Sequence, residues 1–98
     1  MAKYVSLLSW TDQGVRNYAD TVKRAEAATD AFARMGGRLI DVYWTLGAYD
    51  LVAVSEFPDD ETATAAALAL SAAGNVRTTT MRAYGRTEMP AIIAKAQG

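Results

Sequence analysis

Residues 45–57 read TLGAYDLVAVSEF, a glycine-centred break followed by a run of residues that favour β-strands. Residues 51–54 are all apolar. The run therefore does not alternate between apolar and polar side chains, as a strand with one solvent-exposed face does. We therefore expect both faces of this strand to be covered. We expect the helices of the same chain to cover one face, and a second layer of protein to cover the other.

Length and composition limit the possible functions. A chain of 98 residues is expected to form a single domain over residues 1–98. Its 10 basic and 11 acidic residues give a formal charge of −1 without a basic block, which argues against nucleic-acid binding. The chain has no cysteine and no histidine, so we expect no disulfide, no metal and no cofactor. Acid–base chemistry would need a carboxylate, Tyr, Lys or Arg.

The N-terminal residues MAKYVSLLSW lack the long apolar segment and the cleavage site of a signal peptide. No stretch approaches the about 20 apolar residues that cross a bilayer. We therefore expect a cytoplasmic protein that does not enter a membrane.

The order of predicted elements defines a fold class. Strands are predicted over residues 3–10, 38–45, 49–57 and 76–84, and helices over residues 12–35, 61–73 and 88–97. The first helix has an apolar or small stripe at three- and four-residue steps: Val15, Tyr18, Ala19, Val22, Ala25, Ala28, Phe32 and Met35. The order β-α-β-β-α-β with a short C-terminal helix predicts a ferredoxin-like α+β domain with a four-stranded antiparallel sheet.

Two helices cover one face of such a sheet and leave the other face open. If no bulge shifts the register, alternation assigns these residues to the open face: Asp41, Tyr43, Thr45, Asp50, Val52, Val54, Glu56, Thr78, Thr80, Arg82 and Tyr84. It assigns these to the helix side: Ile40, Val42, Trp44, Leu51, Ala53, Ser55, Phe57, Thr79, Met81 and Ala83. The apolar part of the open face predicts a homo-oligomer packed sheet to sheet, as in a dimeric α/β barrel. The alternative is that the C-terminal segment of the same chain covers this face.

The stretch from Gly47 to Tyr84 resembles the GYD-domain family, named for a glycine–tyrosine–aspartate signature. The signature is present as Gly47, Ala48, Tyr49 and Asp50 after the aromatic strand VYWTL, followed in order by PDDE, ALAL, GNVRT and RAY. The resemblance extends upstream through the first strand and helix. It implies a ferredoxin-like relative of the dimeric α/β barrels and implies little about mechanism.

The polar residues assigned to the open face form a candidate ligand site. Asp41, Glu56 and Arg82 would orient a small polar ligand, with flat walls supplied by Tyr43, Tyr84 and Trp10. The competing interpretation is that the three charged groups form ion pairs across a dimer or remain hydrated. A metal ion on Asp41 and Glu56 is disfavoured, because two carboxylates are a small ligand set.

Two further groups of residues, 49–50 and 59–61, can be explained by a structural role instead of a functional one. Tyr49 and Asp50 either shape the hairpin or act as a carbonyl-polarising group and a general base. An aspartate near its ordinary pKa is a weak base at neutral pH. Residues 59–61, DDE, are expected at a helix start, where negative charge is favourable.

Three functions follow from these features. The first is a non-catalytic homo-oligomeric module that binds a small ligand or a protein. The second is a small cofactor-free enzyme of isomerase, cyclase or monooxygenase type with a site between the sheets, by analogy of fold alone. The third is a purely structural assembly unit.

Overall fold

A computed structural model describes residues 1–98 as four strands and four α-helices. They are β1 (Ala2–Trp10), α1 (Asp12–Arg16), α2 (Thr21–Arg34), β2 (Arg38–Trp44), β3 (Leu51–Phe57), α3 (Asp60–Ala72), β4 (Val76–Ala83) and α4 (Met89–Gln97). The strands, α3 and α4 lie within two residues of their predicted bounds. No helix combines the length and the apolar character needed to span a bilayer.

The four strands form one antiparallel sheet in the order β2-β3-β1-β4. The first and third strands are therefore central, and the second and fourth are edges. This order, with the elements arranged β-α-β-β-α-β along the chain, is the ferredoxin-like topology. The predicted α+β fold class is confirmed.

The first predicted helix is wrong as a single element, because the chain breaks at Asn17. The Asn17 backbone N–H and its side-chain amide both donate to the carbonyl of Gln13 and end α1. A 3-10 turn, Tyr18–Asp20, then leads into α2. The Arg24 guanidinium donates to the carbonyls of Asn17 and Gly14, so polar side chains satisfy groups that a continuous helix would have bonded internally.

The predicted apolar stripe is correct only in its second half. Ala25, Ala28 and Phe32 face the sheet, and the Phe32 ring meets the Phe57 ring edge to face with 5.1 Å between centroids. At the start of the stripe, Val15, Tyr18 and Val22 are all exposed. Val15 and Tyr18 precede α2 and lie on either side of the break at Asn17, which separates them from the sheet-facing side of α2.

The core lies between the sheet and the helices as two small clusters. One contains Tyr4, Phe57, Ala63 and Ala66, and the other contains Leu8, Leu51 and Val76. Both clusters include side chains from β1 and β3, so the two central strands organise the packing. The alanines of α3 pack on the side chains of Tyr4 from β1 and Phe57 from β3.

Two face assignments differ from the prediction. In β2, a bulge between Leu39 and Asp41 accommodates Ile40 as an extra residue. Leu39, and not Ile40 as predicted, therefore lies beside the helices. In β4, both faces are reversed: Thr78, Thr80 and Arg82 lie on the helix side, opposite Leu8, Ser6 and Tyr4, while Thr79, Met81 and Ala83 lie on the open side. The assignment of β3 was correct, with Leu51, Ala53 and Ser55 beneath the helices.

The open face is not covered by the chain itself. Val5, Leu7, Val52 and Val54 are partly exposed in its centre, and Met81 beside them is 44% exposed. The C-terminal helix α4 does not pack substantially on any other element, and all its residues except Ile92 are exposed. The structure therefore argues against the alternative in which the C-terminal segment covers this face.

Replacing Gly14 by alanine is expected to destabilise the fold by about 1–3 kcal/mol. A Cβ at this buried position would overlap the Asn75 carbonyl, whose oxygen also accepts a hydrogen bond from the Thr11 N–H. This clash outweighs the usual helix-propensity gain from glycine to alanine of up to about 1 kcal/mol. Urea unfolding monitored by circular dichroism would measure the change.

The matched control is Gly85→Ala, where the nearest atom to an added Cβ is Glu88 Oε1 at 3.7 Å. This variant should unfold within about 0.5 kcal/mol of the wild type. Equal stabilities for the two variants would contradict the close contact between α1 and the turn before β4.

Candidate functional site

Three of the predicted ligand-binding residues lie on the open face. Asp41 and Tyr43 lie on β2, in register with Val54 and Val52 of β3, and Glu56 lies near the end of β3. Tyr43 is 59% exposed. These three residues border the apolar centre of the open face.

The Glu56 carboxylate already has a partner within the chain. Arg38 Nη2 donates to Glu56 Oε1 at 2.9 Å, and Lys3 is the neighbour of Glu56 on the opposite side, in β1. The hydrogen bond from Arg38 is the largest cause that lowers the pKa of Glu56 below its usual value, and the charges of Arg38 and Lys3 add to it. Glu56 is therefore a weaker base than an ordinary glutamate.

The other three predicted residues are elsewhere. Arg82 and Trp10 lie on the helix side of the sheet, and Tyr84 follows the end of β4. The six residues consequently do not converge on one site between two sheets. The physical reason is the reversed face of β4, which places the Arg82 guanidinium across the sheet from Asp41 and Glu56.

The Arg82 guanidinium is held in place by several groups. Its Cζ lies 4.3 Å from the centroid of the Tyr84 ring and 5.8 Å from that of Tyr4, both within the range of cation–π attraction. Its Nη1 donates to the backbone carbonyls of Lys3, at 3.3 Å, and Ala83. Arg82 thus joins the ends of β1 and β4 and stabilises that edge of the fold.

The buried Tyr4 contacts the exposed Asp60, a pairing that the sequence did not indicate. The Tyr4 hydroxyl donates to Asp60 Oδ1 at 2.5 Å. Burial, and then this hydrogen bond to an acidic group, raise the pKa of Tyr4 to about 12. The pair borders an open cleft of about 370 Å³ between α3 and β4, which Thr80 and Arg82 also line. Tyr4 is held protonated there and acts as a hydrogen-bond donor.

The three signature residues close the β2–β3 hairpin onto β1. Gly47 has a φ of 128°, a backbone conformation that residues other than glycine rarely adopt. The Tyr49 carbonyl accepts a hydrogen bond from Thr45 Oγ1 at 2.7 Å. Asp50 accepts the Trp10 backbone N–H at 2.8 Å through Oδ2 and donates its own N–H to the Leu8 carbonyl. These contacts give the signature residues a structural role in the hairpin.

The helix layer contains two apolar hollows. One, of about 80 Å³, lies between α2 and the sheet, and the other, of about 260 Å³, lies between α2 and α3. Both are lined by Ala28, Phe32 and Leu70. The indole Nε1 of Trp10, which lines the smaller hollow, is buried without a hydrogen-bond partner. A buried N–H without a partner costs about 1–3 kcal/mol, so an acceptor placed beside this donor would be stabilising.

Comparisons with known proteins agree with this geometry, which defines a ferredoxin-like α+β domain with one sheet face uncovered. The sequence model of the GYD domain family matches residues 4–93 of this chain. The chain therefore belongs to the GYD domain family. A solved structure, the crystal structure of TTHA0845 from Thermus thermophilus, is similar with a TM-score of 0.55 and 26% identity, covering 88% of this chain and 100% of that chain. No curated protein sequence matches.

Replacing Tyr4 by phenylalanine should change how stability depends on pH. Because the pKa of Tyr4 rises from 10.0 to about 12 on folding, its contribution is complete below pH 10 and is lost as the pH rises to about 12. A rise in the pKa of Tyr4 from 10.0 to about 12 corresponds to roughly 2–3 kcal/mol. The free energy of unfolding should therefore fall more steeply between pH 10 and 12 for the wild type than for Tyr4→Phe.

Tyr18→Phe is the control, because Tyr18 is 64% exposed. That variant should keep the wild-type profile. Parallel profiles for the wild type and Tyr4→Phe across this pH range would contradict the burial of Tyr4 and its hydrogen bond to Asp60.

Proposed function

We propose that this protein is a non-catalytic homo-oligomeric module whose subunits associate through the open faces of their sheets. The observation that carries the proposal is the uncovered apolar centre of that face, formed by Val5, Leu7, Val52 and Val54. Two β-sheets that pack face to face lie about 10 Å apart and interdigitate such side chains. A second copy removes this surface from water, and α4 does not.

A polar border around the apolar centre supports the same proposal. Arg38, Glu56 and Lys3 lie at one end of the open face, and Asp41 lies at its β2 edge. Protein interfaces commonly have an apolar centre and a polar rim. The lowered pKa of Glu56 favours a role in ion pairing over one as a general base.

The hollows of the helix layer support a second function, binding of a small ligand on the opposite side of the sheet. Their walls are mainly alanine, leucine and phenylalanine side chains, and Trp10 Nε1 is a buried donor without a partner. Ligand sites typically combine apolar walls with a few polar groups. We therefore propose an apolar ligand with one hydrogen-bond acceptor, bound between α2, α3 and the sheet.

Replacing Val54 by aspartate should convert the wild-type oligomer into a monomer. The new carboxylate would lie in the apolar centre, where an unpaired buried charge is strongly unfavourable. Sedimentation velocity at micromolar concentrations would measure the subunit number, and circular dichroism would verify the fold. Val22→Asp is the control, because Val22 is 55% exposed on α2, and it should remain an oligomer. A monomeric wild type would refute association through this face.

Replacing Ala28 by leucine should abolish binding of an apolar probe in the helix layer. Ala28 lines both hollows, so the added side-chain atoms would fill them. The probe is 8-anilinonaphthalene-1-sulfonate, and binding would be followed by its fluorescence in the folded protein. Ala65→Leu adds the same bulk at an exposed position of α3 and should bind the probe as the wild type does. Equal binding by both variants would move the site away from the hollows.

A further inference from the structure

The open face carries a pattern of charge along its length. One end has a row of alternating charge across three strands, with Arg38 on β2, Glu56 on β3 and Lys3 on β1. The two middle rows are mainly apolar: Asp41, Val54, Val5 and Met81 form one, and Tyr43, Val52, Leu7 and Thr79 form the other. The opposite end has Arg77 and Ser9, and Asp50 lies directly before β3.

Two identical sheets with aligned strands can be related by a two-fold axis between them in two ways. An axis along the strands keeps each end of the face against the same end of the second copy and places β3 opposite β1. An axis across the strands reverses the ends and places β3 opposite β3. The apolar rows meet apolar rows in both arrangements, so the charges must decide between them.

The charges favour the axis along the strands. In that arrangement Glu56 of each copy lies opposite Lys3 of the other, which gives two equivalent ion pairs, and Val54 lies opposite Val5. In the other arrangement Lys3 lies opposite Ser9 of the second copy and gains no partner. Glu56 then lies opposite the start of β3, next to Asp50, another carboxylate, whose Oδ2 accepts the Trp10 N–H. Like charges placed together at an interface are unfavourable and select against that arrangement.

The side chains of Lys3 and Glu56 are both free to form an ion pair with a second copy. Within its own chain Lys3 has no carboxylate within 4.0 Å. The Arg38 guanidinium occupies Oε1 of Glu56, which leaves Oε2 to accept a bond from the second copy. Arg38 also fixes the Glu56 side chain, so less conformational freedom is lost on association.

We propose that two copies of this chain pack with their two-fold axis along the strands, with Glu56 of each copy paired to Lys3 of the other. The inference rests on the proposed sheet-to-sheet association and adds its orientation and its specific contacts.

Exchanging the charges tests the orientation. Lys3→Glu and Glu56→Lys should each weaken self-association at least tenfold, because each variant places like charges opposite one another. An equimolar mixture of the two variants should recover association to within about threefold of the wild type. In the mixed dimer both contacts are attractive, since one chain presents two glutamates and the other two lysines. Native mass spectrometry with one variant labelled with ¹⁵N would distinguish mixed from self-associated dimers.

Lys23→Glu and Glu26→Lys on α2 are the controls for net charge, and neither they nor their mixture should change the dissociation constant. If Glu56→Lys does not fold, Glu56→Gln should weaken the dimer by a smaller factor and reduce its sensitivity to salt. A wild-type dimer unaffected by either exchange would overturn the orientation and leave the proposed function intact. A wild type that does not associate would overturn both.

Discussion

The antiparallel register of β1 with its two neighbours is the constraint on which the rest of the structure depends. Once Tyr4 and Leu8 point towards the helices, pairing fixes the partners that accompany them: Leu51 and Ser55 from β3, and Thr78 and Arg82 from β4. A one-residue slip would bring Val52 and Val54 beneath the helices and expose the present core. The Asp50 contact to the Trp10 N–H secures this register at one end, and the Arg82 contacts to the carbonyls of Lys3 and Ala83 secure it at the other.

The fold could be predicted from local sequence, but the composition of each face could be predicted only in part. β3 has its two largest apolar side chains, Leu51 and Phe57, on one face, so its buried face follows from the residues themselves. β4 has three consecutive threonines, which suit either face, and the pairing of the strand with β1 determines which side faces the helices. The break at Asn17 depends on Arg24, whose guanidinium satisfies carbonyls of the preceding segment. Spacing alone does not reveal such a contact.

The candidate site was predicted less well than the fold for the same reason. Asp41, Tyr43 and Glu56 lie on the open face because alternation holds in the second half of β2 and in β3. Arg82 and Trp10 were misplaced because their orientation depends on partners distant in sequence. The contact between Tyr4 and Asp60 joins residues 56 positions apart and has no local signal. The hollows of the helix layer likewise arise from how α2 and α3 are spaced over the sheet. The two sides of this sheet therefore differ in chemistry: the open side has an apolar centre with a polar border, and the helix side contains two apolar hollows.

The bulge at Ile40 has a consequence for how the sheet ends. A regular outer strand presents an unbroken series of backbone donors and acceptors, which can recruit further strands and lead to fibrous aggregation. In β2 this series is interrupted between Leu39 and Asp41, so another strand cannot extend along its whole length. Open-ended growth of the sheet is thereby blocked on that side.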